Sequence, residues 1–80
     1  MKTIIKWLHN YSAANPSAWE GIVEPNTIIL IKYNKGLLSV YERDKLTFSR
    51  QYRTTDSVLD YPELKVALDK YFELPLEETT

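Results

Sequence analysis

The sequence predicts an α+β domain, in which a three- or four-stranded antiparallel meander carries a C-terminal helix packed on one face. Residues 27–53 contain three runs of strand-forming residues separated by short polar turns. Apolar residues at helical spacing follow between Tyr61 and Phe72. Tight turns join antiparallel neighbours, and an amphipathic helix needs a partner that covers its apolar stripe. We therefore expect the helix and the sheet to cover each other.

The first predicted strand of this meander is Thr27–Tyr33, with the sequence Thr-Ile-Ile-Leu-Ile-Lys-Tyr. β-branched residues favour strands, and here both alternating sets of side chains start apolar. This pattern predicts an interior strand that is covered on both faces. Asn34-Lys35-Gly36 is typical of a three-residue hairpin loop whose last residue has a positive φ, and it leads into a strand over 37–41.

A polar turn over 42–45 precedes the next strand, residues 46–53, which alternates regularly. Leu46, Phe48 and Tyr52 share one face with Arg50, and the opposite face is polar. One buried face and one solvated face predict a strand near the edge of the sheet, or a strand with one uncovered face.

The predicted helix covers Tyr61–Phe72. Asp60 stands at the N-cap position with Glu63 three residues later, as in a capping box. Leu64, Leu68 and Tyr71 follow an i, i+4, i+7 pattern, and Pro75 discourages continuation.

The N-terminal third leaves two interpretations open. Residues 1–11 fit a helix by the spacing of Ile4, Leu8 and Tyr11, whereas Ile4-Ile5 and Trp7 favour a strand. Residues 18–23 fit a short strand between two loops. We expect one domain over 1–80, with a frayed tail at 77–80.

Composition is that of an ordinary globular domain. The 80 residues carry 10 basic and 11 acidic side chains, and 44% of them are hydrophobic. Since no apolar run approaches the roughly 20 residues that span a bilayer, we expect no membrane association and a cytoplasmic location. Cysteine is absent, which excludes disulfides and thiolate chemistry.

The charge is unevenly distributed along the chain. Residues 1–55 hold eight basic and four acidic side chains, a net +4, whereas residues 56–80 hold two basic and seven acidic ones, a net −5. The result is a mildly basic body followed by an acidic C-terminal quarter. Such a charge distribution steers a protein toward charged partners.

The sequence offers no catalytic, metal or cofactor site. His9 is the only histidine, and Gly21 and Gly36 are too few for a phosphate-binding loop. The carboxylate pairs lack the spacing of a hard-cation loop. We also expect a domain this small to have no volume left for a pocket that would shift a carboxyl pKa. The chain is therefore predicted not to be an enzyme.

Basic and aromatic residues cluster over positions 43–53. Stacking rings beside guanidinium groups are how several small modules hold single-stranded nucleic acid. The residues of this alternative are Arg43, Lys45, Arg50, Tyr52 and Arg53. The sequence pI of about 5.7 counts against it.

The leading hypothesis is a small protein-binding module that acts as a stoichiometric inhibitor or adaptor. Phage- and mobile-element-encoded antagonists of host systems share this size and layout, which is an analogy of architecture only. Trp, Tyr and Arg most often anchor interfaces, so Trp19 is an anchor if it is exposed. The candidate partner-binding residues are Trp19, Tyr41, Arg50 and Arg53 on the body and Asp69, Glu73 and Glu77 near the helix end. Pairing of two copies through a sheet edge stays open.

Overall fold

A computed structural model describes residues 1–12 and 14–78 of the chain. Its elements, in chain order, are β1 Lys2–Tyr11, β2 Ser17–Val23, β3 Thr27–Asn34, β4 Leu37–Glu42, β5 Lys45–Gln51, α1 Tyr61–Leu68 and β6 Phe72–Glu73. None of the helices in this described part of the chain is long and apolar enough to cross a membrane.

All six strands form one mixed sheet in the order β5-β4-β3-β2-β1-β6. The first five strands form an antiparallel meander, and β6 lies parallel to β1. The α+β class and the antiparallel meander of the sequence prediction therefore fit in part, with β3 in the interior as expected. The prediction of three or four strands is wrong, because β1 and β6 extend the sheet on one side.

The sheet is curled rather than flat. β5 and β6 stand at opposite ends of the strand order, so five spacings of about 4.8 Å would separate them in a flat sheet. Nevertheless the rings of Phe48 in β5 and Tyr71, just before β6, lie 4.8 Å apart between centroids. The two ends of the sheet thus approach each other around the core.

The helical interpretation of the N-terminus is wrong, because β1 is a ten-residue strand paired with β2. Its register shifts between Ile4 and Lys6 and again between Trp7 and His9. These irregularities place Ile4 and Trp7, three residues apart, on the buried side. A strand with such shifts loses its period of two, and its apolar spacing then resembles a helix.

The predicted strand over 18–23 is confirmed as β2, which begins one residue earlier at Ser17. Gly21 in this strand allows the Trp7 ring to approach the backbone of β2. A Cβ atom at Gly21 would lie 2.9 Å from Cε3 of Trp7 and 2.8 Å from the Lys6 carbonyl oxygen. A larger residue at position 21 would displace the indole from the core.

Both hairpins on the β5 side of the sheet have two-residue turns. Asn34 pairs with Leu37, so the turn consists of Lys35 and Gly36, with φ values of 50° and 78°. The predicted three-residue loop is therefore one residue too long, although Gly36 has the positive φ expected of it. Arg43 and Asp44 form the second turn, with φ values of 52° and 62°. Two consecutive positive φ values are typical of a type I′ turn, whose twist matches the strands.

The helix is shorter than predicted and ends at Leu68. Leu64 and Leu68 are buried as expected, but the chain turns after Asp69 so that Phe72 pairs beside Lys2 in β1. Tertiary pairing therefore ends the helix about one turn before the predicted end at Phe72. Asp60 stands at the N-cap without a side-chain capping hydrogen bond, so the predicted capping box does not form.

One apolar core joins the sheet and the helix. The helix contributes Tyr61, Leu64 and Leu68 to the same cluster as the inward side chains of β1 to β4. The opposite face of the sheet, which we call the outer face, is uncovered, since Ile28 and Leu46 are about half exposed. The expectation that β3 is covered on both faces is therefore wrong.

Ser17 and Ser57 fix the segment that leads from β5 to the helix. The buried hydroxyl of Ser17 accepts from the Leu59 N–H at 3.0 Å and donates to the Ser12 carbonyl at 2.6 Å. The Ser57 hydroxyl accepts from the Lys35 N–H at 2.9 Å, and its carbonyl accepts from the Ser17 N–H at 2.8 Å. The segment is thus held by hydrogen bonds more than by a regular element.

The C-terminal tail returns to the N-terminal strands. Glu78 accepts from Trp19 Nε1 at 3.1 Å and from the Ser12 hydroxyl at 3.1 Å, and its carbonyl accepts from Asn10 Nδ2 at 2.7 Å. Glu78 is thus bonded to the N-terminal part of the chain, and residues 79 and 80 of the predicted frayed tail lie outside the described part.

Candidate binding surface

Strand β5 forms an open edge of the sheet. It pairs with β4 on one side only, and six of its seven residues are exposed. Within residues 1–12 and 14–78, no backbone group outside β4 hydrogen-bonds to the backbone of Lys45–Gln51. We call this side of β5 the open edge. The predicted edge character of this strand is confirmed.

The register shows which backbone groups of β5 face outward. Tyr52 donates its N–H to the Gly36 carbonyl at 2.8 Å. Arg50 and Phe48, two and four residues earlier, therefore also direct their backbone groups toward their partners Leu38 and Val40 in β4. Because hydrogen-bonded and non-hydrogen-bonded pairs alternate in an antiparallel ladder, Ser49 and Gln51 direct their N–H and C=O groups away from β4. These groups are available to another strand.

The side chains of β5 divide between the two faces of the sheet. Lys45, Phe48 and Arg50 stand opposite Glu42, Val40 and Leu38 of β4, respectively, on the side of the core. Thr47 is the extra residue at the register shift between these pairs, so Leu46 lies on the outer face opposite Tyr41, and the prediction that it shares a face with Phe48 is wrong. The core side of the open edge therefore presents a cation, a ring and a second cation in sequence.

A cleft of about 750 Å³ lies between the end of β5 and α1. Its wall on the helix side includes Pro62 and Val66, and the Val66 side chain is 73% exposed. Arg50 stands on the opposite wall, with its guanidinium 5.2 Å from the centre of the Tyr52 ring. This cleft is open to solvent, and the expectation that the domain has no volume for a pocket that would shift a carboxyl pKa stays a prediction.

The polar groups of this cleft carry mixed charge. Asp56 and Glu63 line it together with Arg50 and the buried Tyr33. Burial raises the pKa of the Tyr33 hydroxyl, and the carboxylates of Asp56 and Glu63 raise it further. The phenol stays protonated at neutral pH and is therefore a hydrogen-bond donor rather than a base.

A second depression, of about 410 Å³, lies on the same side of β5 near its start. Phe48 and Thr47 line it from β5, and Tyr71 and Phe72 line it from the chain around β6. The contact between Phe48 and Tyr71 lies at this depression, toward the other end of β5 from Arg50. The open edge is thus flanked by two recesses that accept side chains.

The outer face of the sheet is the other uncovered surface. A cross-strand row runs over five strands in register, consisting of His9, Glu20, Leu30, Tyr41 and Leu46. His9 Nε2 lies 3.6 Å from Glu20 Oε1, and the Lys32 ammonium lies 5.9 Å from the centre of the Tyr41 ring. Local partners therefore engage much of this row.

Trp19, the first predicted anchor, lies inside the protein. Its side chain has no exposed surface, and its indole N–H donates to Glu78. An anchor has to reach the partner, so Trp19 holds the core and tail together instead. Its place in β2, between inward-facing Ser17 and Gly21, determines this direction.

The other predicted contact residues lie on three separate surfaces. Tyr41 is half-buried on the outer face, whereas Arg50 and Arg53 are exposed at the C-terminal end of β5. The acidic candidates are exposed on the β6 side of the molecule, with Asp69 at the C-cap of α1, Glu73 in β6 and Glu77 in the tail. The two charged sets thus belong to different edges of the sheet.

The residues of the nucleic-acid alternative fall into two groups. Arg43 and Lys45 lie at the turn that opens β5, whereas Arg50, Tyr52 and Arg53 lie at its other end. Five steps of about 3.3 Å separate Lys45 from Arg50, so at most roughly 16 Å lies between the nearest members of the two groups. Tyr52 also packs edge-on against Tyr33, with 6.3 Å between ring centroids. The five residues of the alternative therefore do not form one unbroken row, although Lys45 and Arg50 share the core side of β5 with Phe48.

Sequence reasoning did not identify the cleft residues Val58 and Val66. Both are exposed apolar residues of the kind that marks a binding surface, but Val66 lies outside the predicted helical stripe and Val58 lies in a loop. No group of three or more metal-binding side chains occurs among the residues that the structure describes.

Comparison with known proteins gave no match to a protein-family model, to a curated protein or to a solved structure.

Proposed function

We propose that this protein is a non-enzymatic binding module that acts as a stoichiometric inhibitor or adaptor by holding another protein at the open edge of β5. The observation that carries this proposal is the unpaired backbone of β5 over Lys45–Gln51. Such an edge is a template for a further strand, and extended peptides commonly bind by this mode.

Two features of β5 support a binding role over a merely exposed strand. The edge is seven residues long, whereas short strands are a usual way to keep an edge from pairing; the bulge at Thr47 and the inward cations limit free pairing and favour a partner of matching chemistry. Recesses flank the edge on its core side, which gives alternate side chains of an added strand a place to bind.

The chemistry of the cleft favours binding over catalysis. Its phenol, Tyr33, is kept protonated at neutral pH, and its carboxylates Asp56 and Glu63 are exposed rather than enclosed. General acid–base catalysis depends on a titratable group whose pKa is brought near the working pH. The cleft has the features of a contact surface instead.

The proposal is tested by blocking the edge without removing a side-chain contact. Ser49→Pro deletes an outward N–H and keeps the inward hydrogen bonds of β5, because edge strands tolerate proline on their solvent side. Ser49→Ala is the matched control, since it removes only the hydroxyl. Immobilised wild-type and variant proteins are incubated with a lysate of the source cells, and bound proteins are identified by mass spectrometry.

A protein retained in one-to-one amount by the wild type and by Ser49→Ala, and lost with Ser49→Pro, supports the proposal. Urea unfolding of each variant establishes that Ser49→Pro remains folded. Equal retention of the same proteins on all three forms would show that the partner binds elsewhere and would overturn the proposal.

A further inference from the structure

We infer that the segment held at the open edge is an extended stretch of a partner protein with the pattern acid–x–apolar–x–acid. This inference rests on the proposed function and adds the chemistry of the partner. The observation behind it is the order of Lys45, Phe48 and Arg50 along the core side of β5.

Neither cation of β5 forms a close ion pair within the described chain, although Lys45 stands opposite Glu42, whose carboxylate binds Lys2. The ion pairs among the described residues are Lys2 with Glu42, at 2.9 Å, and His9 with Glu20, at 3.6 Å. Both Lys45 and Arg50 are exposed. Opposite charges on neighbouring strands attract when their side chains share a face, so an added strand with acids beside these cations is favoured.

The register of β4 shows the spacing that such a strand needs. Leu38, Val40 and Glu42 of β4 stand opposite Arg50, Phe48 and Lys45, because Thr47 is an extra residue in β5. A strand without a bulge on the other side of β5 therefore matches these three residues at positions i, i+2 and i+4. The acids belong at i and i+4, and the apolar residue belongs at i+2.

The apolar position follows from the surroundings of Phe48. Its ring is half-buried and contacts Tyr71, and it lies at the edge of the recess that Phe72 also lines. An aliphatic or aromatic side chain beside Phe48 would extend this apolar contact and remove its remaining surface from water.

The carboxylates of the cleft restrict where the acid near Arg50 can lie. Asp56 and Glu63 line the same cleft and would repel an acid placed deep within it. We therefore place the acidic side chain on the β5 wall, against the guanidinium of Arg50. Backbone hydrogen bonds from Ser49 and Gln51 would hold the segment in this position.

The test uses three labelled heptapeptides, Thr-Glu-Thr-Val-Thr-Glu-Thr, its Glu→Lys counterpart and an isomer with adjacent glutamates, Thr-Glu-Glu-Val-Thr-Thr-Thr. Fluorescence anisotropy gives the affinities, and amide resonances of the full chain locate the site. We expect the first peptide to bind at least about tenfold more tightly than the lysine peptide and more tightly than the isomer. We expect slowed hydrogen exchange at Ser49 and Gln51 only.

Variants assign the charges. Arg50→Gln and Lys45→Gln should each weaken the first peptide about fivefold, and their effect should shrink in high salt. Lys32→Gln, which removes a cation from the outer face, is the matched control and should leave the affinity unchanged. Ser49→Pro should abolish binding, whereas Ser49→Ala should not.

Three results with the purified protein would overturn the inference. These are equal binding of the acidic and lysine peptides, displacement of the acidic peptide by a single-stranded oligonucleotide of matched charge, and a dimer that only Ser49→Pro dissociates. A lysate partner that Ser49→Pro loses but Arg50→Gln and Lys45→Gln retain would sink the acidic pattern and leave the proposed function standing.

Discussion

β1 and β5, the two outer strands of the antiparallel meander, differ in what lies beside them. Beside β1, the chain adds β6 at Lys2 and Thr3, and Trp7 Nε1 donates to the Tyr61 hydroxyl at 3.0 Å. Farther along β1, Asn10 donates to the tail. Beside β5 the described chain adds no strand. The C-terminal quarter thus covers part of the β1 edge, whereas no described strand pairs with the β5 edge.

This difference shows that the acidic C-terminal quarter contributes to the stability of the fold. Its apolar residues complete the core against β1, and Pro75 accepts from the Tyr61 hydroxyl at 2.6 Å. The described segment after α1 pairs with β1, and none of the described strands pairs with the outward side of β5. The β5 edge lies in the basic body of the molecule, as the acidic partner that we propose requires.

Trp7→Ala should have the largest effect, a loss of stability on the β1 side of the sheet. The change removes a fully buried ring, its T-shaped contact with Tyr61 at 5.9 Å and the hydrogen bond to that hydroxyl. We expect the free energy of unfolding to fall by about 3–5 kcal/mol in urea titration, as is usual for a buried aromatic residue. Ile5→Ala in the same strand is the control, since Ile5 is half exposed. Equal losses for the two variants would show that the edge is not held through Trp7.

On the side of the open edge, Gly36→Ala should have the next largest effect. Gly36 has a φ of 78°, and a Cβ atom there would collide with the Thr54 carbonyl oxygen. We expect a loss of about 2 kcal/mol or more, because both the backbone and the adjoining segment must shift. Lys35→Gly, at the neighbouring positive φ, is expected to be neutral or slightly stabilising. A loss for Lys35→Gly as large as for Gly36→Ala would argue against a collision.

The fold was predictable where local pattern and tertiary context agree. The β3–β4 and β4–β5 hairpins follow from Gly36, from the polar turn and from alternating apolar residues. The register shifts of β1 could not be predicted, since they depend on how Trp7 packs over Gly21 across the strand pair. The end of α1 was missed for a related reason, because Phe72 pairs with β1, some 70 residues away in the chain.

For the candidate site, the sequence predicted the types of residue but not their exposure or the cleft. The edge position of β5 and the prominence of Arg50 follow from alternation. Whether Trp19 is exposed depends on the path of the tail, because its indole finds a partner in Glu78. The cleft also depends on the path of the loop over 52–60 relative to α1. This path cannot be predicted from the periodicity of the sequence.

Glu78→Ala tests the contact between the C-terminal tail and the N-terminal part of the chain. Loss of the carboxylate leaves the Trp19 N–H without its acceptor and removes a partner of Ser12. We expect a loss of about 1–2 kcal/mol and a shift in tryptophan fluorescence, since a buried donor is left unpaired. Glu77→Ala removes an exposed acid at the adjacent position and is expected to change neither quantity. Identical effects of the two changes would point to net charge instead of the hydrogen bond.

The smallest effect appears only at alkaline pH, where the buried tyrosine beside the open edge becomes costly to ionise. Burial raises the pKa of Tyr33 above its ordinary value of 10.0, so the folded state binds this proton more tightly than the unfolded state. Its contribution to stability is complete below pH 10 and is lost as the pH rises through the folded-state pKa. The wild type should therefore lose stability faster above pH 10 than Tyr33→Phe, by less than about 1.4 kcal/mol per pH unit. Urea titrations at pH 8, 10 and 11 measure the difference, in which contributions common to both proteins cancel. Parallel pH profiles would mean that the Tyr33 hydroxyl ionises as freely in the folded protein as in the unfolded chain, and hence that the cleft admits water to it.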